Sequence, residues 1–220
     1  MSKRKEHYSA KGTYAGYDKN HKEREALDYY STPTEEVVNI LETLNLPFEE
    51  GDEILEPSAG GGHMVKGILE YIKGIGKNID FKATDIQDRG NVVEEVKIDS
   101  GKEYDFFSED YPVKETDWII MNPPYSVLEP FTMKALSIAN KGVLSLCRLQ
   151  FLEGEGRFEK LFKHYPPTDV YVYVDRIACY KNGNTAEKVA SAQAYAWFYW
   201  DFSKEQGETK VHWMRRMNKR

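Results

Sequence analysis

Residues 52–74, DEILEPSAGGGHMVKGILEYIKG, read as a short buried strand (DEILEP), a glycine turn (SAGGG) and a helix. Glycines between a strand and a helix let backbone approach a ligand, and the first N–H groups of the helix point outward. No Gly-Lys-Ser/Thr follows the turn, so it is not a phosphate loop. Gly60 and Gly62 fit a dinucleotide fingerprint, but Val65 stands where its third glycine belongs. Glu56, just ahead of the turn, repels a pyrophosphate and suits a ligand with a cationic amino group and no phosphates. A generic βα turn with solvated acids has the same local pattern, so the neighbouring segments must decide.

Outward from this stretch the chain alternates strand and helix. Upstream, STPTEEVVNILETLNL reads as a helix with Thr32 as N-cap, Pro33 at its first position and an apolar stripe of Val37, Ile40, Leu41 and Leu44. Downstream, NIDFKATD is a strand ending in Asp85, where a carboxylate can take both hydroxyls of a ribose. S-adenosylmethionine has the matching features: a cationic amino group, a ribose and no phosphate. A weaker strand is expected near residues 102–107, then the strand DWIIM, the helix SVLEPFTMKALSIANK, the strand GVLSLCRL and the helix LEGEGRFEKLFKHY. DVYVYVD and SAQAYAWFYWDF are β-branched and aromatic runs joined without a helix, which places one strand antiparallel. The pattern predicts an α/β fold with seven strands, mostly parallel, closed by an antiparallel hairpin strand. Residues 31–220 are expected to form one domain, preceded by a polar, tyrosine-dotted arm over residues 1–30.

Composition excludes several classes. No apolar run reaches the length of a membrane helix, and no apolar segment follows the basic residues at the N-terminus, so no membrane span or secretory signal is expected. Cys147 and Cys179 lie among apolar or aromatic neighbours, which implies buried reduced thiols and a cytoplasmic setting. The five histidines pair with no cysteine at metal-ligand spacing, so no metal site is expected. The net charge is −6, yet residues 1–25 and 204–220 are each basic. Such ends can contact phosphates or can serve as solvated tails.

The stretch DWIIMNPPYS, residues 117–126, ends a strand in an amide, two prolines and an aromatic. Prolines stop any strand, so a plain turn is one reading. The same residues can also do chemistry. An exocyclic amine is a poor nucleophile because its lone pair is delocalised, and two acceptors aimed at its hydrogens favour the change towards sp³ nitrogen. Asn122 offers a side-chain carbonyl, and Pro123 offers a backbone carbonyl in a turn that Pro123 and Pro124 stiffen. Tyr125 offers a flat face for a planar substrate. The two readings are compatible.

Taken in order, TPTEEVVNIL, LEPSAGGG, ATD, YDFF and NPPY resemble the motifs of the gamma-class amino-methyltransferases that act on adenine N6 in DNA. The resemblance covers roughly residues 30–150. It implies a Rossmann-like class I S-adenosylmethionine-dependent methyltransferase fold, S-adenosylmethionine as cofactor and a nucleic-acid substrate. Carried over by position, Thr32 and Pro33 resemble a cofactor-contacting pair, and Glu56, Pro57, Ser58, Gly60 and Gly62 the loop that holds the methionine part. Asp85 resembles the ribose acid, while Asp105 and Phe106 resemble the pair that reads the cofactor adenine. Asp105 as a loop acid and Phe106 as core are the alternative. Asn122, Pro123, Pro124 and Tyr125 resemble the catalytic motif. RLQFLEGEGR with the terminal AYAWFYW also resembles small methyltransferase-like proteins of phages and prophages.

Substrate identity is less constrained. NPPY also occurs in enzymes that methylate RNA bases or a glutamine side chain, and an idle binding module is a further reading. Phe151 is a candidate second stacking residue or a core residue. Arg176, Lys181, Asn182, Asn184 and Lys188 lie in a loop that can hold phosphates or be solvated. The catalytic fold uses nearly all the chain after Asn122, so a separate target-recognition domain is not expected, and a partner subunit is one way to supply it.

Overall fold

The computed structural model describes residues 30–89, 92–93, 96–101, 104–181, 193–205 and 207–219. The expected arm over residues 1–29 and the loop residues Asn182, Asn184 and Lys188 lie outside them. Strands β1 (Tyr30–Ser31) to β11 (Lys210–Met214) form two sheets. In chain order the strands between are β2 (Glu53–Glu56), β3 (Asp80–Asp85), β4 (Val92–Val93), β5 (Val96–Ser100) and β6 (Thr116–Met121). They continue with β7 (Ala139–Arg148), β8 (Asp169–Tyr173), β9 (Tyr180–Lys181) and β10 (Tyr195–Asp201). The main sheet has nine strands in the order β11-β8-β10-β7-β6-β2-β3-β5-β4, and β1 pairs with β9 in a separate ribbon.

This is a Rossmann-like, mostly parallel α/β sheet, with β10 antiparallel to both β7 and β8. Seven of its strands were expected in number, and β4 and β11 extend its two edges. β11 runs parallel to β8, so much of the basic C-terminal stretch is part of the sheet and not a tail. The end beyond it is fastened as well: Asn39 Nδ2 donates to the Arg215 carbonyl at 2.8 Å, and Met217 N donates to Glu36 Oε1 at 3.0 Å. The strand expected at 102–107 is displaced. β5 lies at Val96–Ser100, and the chain turns after Gly101 (φ 126°), with Tyr104 N donating to the Gly101 carbonyl.

Helices cover both faces of the sheet. α1 (Thr34–Leu44) and α2 (His63–Ile75) bury Val37, Ile40, Leu41, Met64, Ile68 and Ile72 against one face. α3 (Leu128–Ile138) buries Phe131, Ala135 and Leu136 against the other. The helix expected to run on to Lys141 ends at Ile138, because Ala139 already pairs with Thr116 as strand. Strand β10 shows why AYAWFYW is so apolar. Ala196, Phe198 and Trp200 point into one core, and Tyr195, Trp197 and Tyr199 into the other, so both faces of a central strand are buried. Among the described residues no helix is long and apolar enough to cross a membrane.

Close packing at β7 yields a prediction. A Cβ added at Gly142 would lie 2.6 Å from Trp118 Cζ3 and 2.8 Å from the Trp200 carbonyl oxygen. The second atom is backbone and cannot turn aside. Gly142→Ala is therefore expected to cost about 1–3 kcal/mol, read as a lower urea midpoint with unchanged slope. An unaltered midpoint would show that the strands separate freely there.

Candidate active site

Strand order places three strand ends side by side. β2 lies between β6 and β3, so Glu56, Asp85 and Asn122 emerge together at the carboxyl edge where the order reverses. The turn after β2 uses left-handed glycines, Gly60 at φ 54° and Gly62 at φ 81°. It is braced to β3: Gly60 N donates to Asp85 Oδ2 at 2.7 Å, and Ala59 N donates to the Thr84 carbonyl at 3.0 Å. Asp85 Oδ1 accepts from Gln87 N at 2.8 Å. Asp85 thus shapes the glycine turn as well as facing the cavity, and its burial raises its pKa above the usual carboxylate range.

A cleft with about 830 Å³ of empty space, part of it open to solvent, lies at this edge. Thr32, Pro57, Ser58, Asp85, Asp105, Phe106, Asn122, Pro123, Pro124 and Tyr125 all line it, so ten of the residues singled out from sequence converge on one space. Gly60 and Gly62 shape its turn from behind. Pro33 is not among the lining residues; it caps α1, its carbonyl accepting from Glu36 N at 3.0 Å. Thr32 is therefore not the N-cap. Its hydroxyl oxygen accepts from Asn122 Nδ2 at 3.0 Å instead.

Glu56 is wholly buried behind Ser58. Its Oε1 accepts from the Ser58 amide and hydroxyl, both at 2.8 Å, while Oε2 has no partner among the described residues. Burial, with Asp85 nearby, pushes its pKa up to about 8. A buried carboxylate oxygen without a donor fits a cationic group bound at the Ser58 wall, which is what a methionine-type ammonium supplies. At the far end of the cavity, Asp105 Oδ1 accepts from Phe107 N at 3.1 Å. Phe106 is mostly core, 4.4 Å from Phe131 and edge-on to Tyr111 at 5.2 Å, whereas Phe107 is only half-buried and also lines the cavity.

The Asn122 carboxamide is oriented from outside its own motif. Nδ2 donates to the Tyr30 carbonyl at 2.9 Å and to Thr32 Oγ1, and the carbonyl can only accept, which fixes the amide's direction. Oδ1 accepts from the Tyr125 hydroxyl at 3.0 Å. Burial raises the Tyr125 pKa well above normal, so that hydroxyl stays a donor. The Asn122 carbonyl lies 3.3 Å from Ser58 Oγ, the Pro124 carbonyl accepts from Val127 N at 3.2 Å, and the Pro123 carbonyl accepts nothing among the described residues. The Tyr125 ring is less open than the sequence implied. Tyr30 lies 5.5 Å away, Tyr195 5.9 Å, and the Arg148 guanidinium carbon 4.4 Å from its centroid.

Two substrate candidates, Phe151 and Arg176, lie elsewhere. Phe151 is 2% exposed, its ring 5.4 Å from both Phe162 and Phe198, so it belongs to the core and offers no stacking face. The 3₁₀ turn Leu149–Leu152 rotates it inward. Arg176 is exposed on the segment before β9 and does not line the cavity, and the Lys181 backbone pairs through β9 with Tyr30. The residues missed are Tyr30, His63, Gln87, Arg89, Tyr104 and Phe107, which line the cavity, and Arg148. Tyr30 acts through its backbone, which no motif encodes. Cys147 and Cys179 are buried free thiols pushed up to about 12 by burial, so neither is an activated nucleophile.

No protein-family model matches the chain, and no curated protein matches it either. Solved structures do match in fold. A Listeria monocytogenes protein assigned to the class I S-adenosylmethionine-dependent methyltransferases superposes with a TM-score of 0.62 at 12% identity, over 96% of this chain and 73% of that one. The methyltransferase subunit of a type I restriction-modification system from Streptococcus thermophilus gives 0.60 at 11% identity, over 84% of this chain and 47% of its own. A Pyrococcus horikoshii protein assigned as an RNA methyltransferase gives 0.50 at 18% identity, over 80% and 88%. At these identities the likeness shows the fold: the chain has the class I S-adenosylmethionine-dependent methyltransferase fold.

Proposed function

We propose that the cavity binds S-adenosylmethionine and that the protein transfers its methyl group to an exocyclic amino nitrogen, adenine N6 in DNA. The observation that carries this reading is the orientation of Asn122. Its amide hydrogens are held by Tyr30 and Thr32, so its carbonyl oxygen is held as an acceptor beside the unengaged Pro123 carbonyl, in the cavity that Asp85 and Ser58 also line.

When bound, the cofactor supplies an electrophilic methyl group on a sulfonium. Glu56 balances the ammonium from behind Ser58, Asp85 takes the ribose, and Asp105 with Phe106 and Phe107 frames the adenine. At the other end of the cavity, Asn122 Oδ1 and the Pro123 carbonyl accept the two hydrogens of the target amine as its nitrogen gains positive charge. The target amine displaces the Tyr125 hydroxyl from Oδ1, and the Tyr125 ring flanks the base. A base inside a duplex cannot reach this point, so it is flipped out or presented single-stranded. Neighbours assigned to restriction-modification and to RNA methylation support a nucleic-acid substrate. Since the chain spans about half of the restriction-modification subunit, target recognition by a partner subunit is part of the proposal.

The substrate class is tested by incubating the protein and methyl-labelled cofactor with separate DNA, RNA and protein pools. Label is expected in DNA. Label confined to RNA or to glutamine would reject the DNA assignment, and no label in any pool would reject methyl transfer.

Glu56 gives a separate prediction for the cofactor. Its pKa of about 8 lies above the 4.5 of an ordinary glutamate, so the free protein carries a proton there near pH 7. A folded-state pKa raised this way gives stability that is full below about 4.5 and is lost as pH rises towards 8. Binding a cation ionises the group, so cofactor binding near pH 7 should release about one proton, and affinity should rise with pH up to about 8. Calorimetry in buffers of different ionisation enthalpy measures that release. Glu56→Gln should abolish it and weaken binding; heats independent of buffer in the wild type would refute the assignment.

A further inference from the structure

A second concavity adjoins the first across Tyr125. It is an open groove with an empty volume of about 960 Å³, and its walls include Tyr125, Glu129, Arg148, Gln150 and Arg157. Tyr125 lines both spaces, so an occupant of the groove lies one side chain away from Asn122.

Two guanidiniums dominate the groove. Arg148, the last residue of β7, stacks over Tyr125 at 4.4 Å and lies 5.9 Å from the Tyr30 ring centroid. Stacking uses the face of the guanidinium and keeps its in-plane N–H donors clear of the ring, one of them shared with the Tyr195 hydroxyl and the rest left for a ligand. Arg157 is fixed by Nη1, which donates to the carbonyls of Gln150 (3.3 Å), Phe151 (2.9 Å) and Glu153. The Nε atoms of Arg148 and Arg157 are buried without a partner among the described residues, and of the Arg157 Nη atoms only Nη1 donates there, which leaves Nη2 for a ligand. Neither arginine forms an ion pair with a carboxylate of the described residues. Glu129 is the carboxylate in the groove wall, and Lys160 already pairs with it at 3.1 Å. The groove therefore keeps an excess of positive charge on a protein whose net charge is −6.

Guanidiniums held in place by stacking and by carbonyls, with Nη donors left over, match phosphate oxygens. We propose that this groove seats the phosphodiester backbone flanking the target base, with Arg148 and Arg157 as its phosphate ligands. The proposal rests on the nucleic-acid reading above and adds where the strand lies. The backbone passes on the Arg148 side of Tyr125 while the base turns past that ring towards Asn122. Phosphate contacts of this kind fix register and carry no sequence information.

The test is fluorescence anisotropy with labelled single-stranded and duplex oligonucleotides over a salt series. Arg148→Gln and Arg157→Gln are each expected to weaken binding about tenfold and to lower the slope of log affinity against log salt by about 0.7 to 0.9, one phosphate's share. Arg148→Lys should keep the wild-type slope, because it keeps the charge. Affinity for S-adenosylhomocysteine and the melting temperature, unchanged in all variants, show that the fold is intact. Wild-type slopes in both glutamine variants, alongside methylation of the oligonucleotide by the wild type, would overturn the groove and leave the proposed function standing. A wild type that binds the cofactor product but neither oligonucleotide would overturn both. Loss of binding to an acidic peptide, in place of oligonucleotide, would reassign the groove to a protein substrate.

Discussion

Asn122→Ala is expected to lower the single-turnover rate of methyl transfer by about 10²–10³-fold or more, the scale seen when one preorganised polar group is removed from a developing charge. The expectation follows from how the amide is held. Tyr30 and Thr32 take its two hydrogens, so Oδ1 is aimed before substrate arrives, and only the Tyr125 hydroxyl has to leave it as the amine binds. Alanine removes that acceptor and leaves only the Pro123 carbonyl. The cofactor end of the cavity, bounded by Asp85 and Asp105, is untouched, so cofactor affinity should stay within about twofold, far less than 1 kcal/mol. Tyr125→Phe is the informative companion. It frees Oδ1 from a hydroxyl that the substrate must displace and keeps the ring, so its rate should fall far less than that of Asn122→Ala. Equal losses in the two variants would assign the chemistry to the Tyr125 hydroxyl. An unimpaired Asn122→Ala would remove Asn122 from the mechanism.

Trp197→Ala is expected to cost about 3–5 kcal/mol, the largest single effect on stability. Trp197 sits in the middle of β10 with no solvent exposure, and its Nε1 donates to the Tyr173 hydroxyl at 2.9 Å. The strand is paired on both sides, to Leu146 on β7 and Tyr171 on β8, so the sheet cannot collapse around a missing indole. Denaturant titration should show the loss as a lower midpoint, and the melting temperature should drop by roughly 10 °C. Trp197→Phe keeps most of the volume and loses the hydrogen bond, so it should cost much less. If Trp197→Ala cost under about 1 kcal/mol, the core on that face would be loosely packed, contrary to its burial.

What could be read from sequence was what local chemistry encodes. The strand, glycine turn and helix around LEPSAGGG, the acid ending ATD and the stop at NPPY each carry their own conformational reason, and the sheet brings them together as expected. The places where reading failed are tertiary. β5 carries a short VKIDS run without strong alternation, and β11 is an edge strand with Trp213 largely exposed, so neither shows a clear strand pattern. Thr32 looked like a helix cap because it precedes a proline; its hydroxyl serves Asn122, 90 positions later. Phe151 follows a strand, as a stacking residue would, but the 3₁₀ turn points it inward. Arg148 lies in the run GVLSLCRL without a motif to mark it, and only the fold lays it on Tyr125.

The central claim is that this cavity methylates an exocyclic amine held at Asn122. It is tested most directly by digesting an adenine-containing DNA oligonucleotide to nucleosides after incubation with the protein and deuteromethyl-labelled S-adenosylmethionine, followed by mass spectrometry. The account predicts labelled N6-methyladenine with the wild type and, over the same time, about a hundredth of it or less with Asn122→Ala. Label equal in both, or absent from the wild type while DNA and cofactor are both bound, would contradict it.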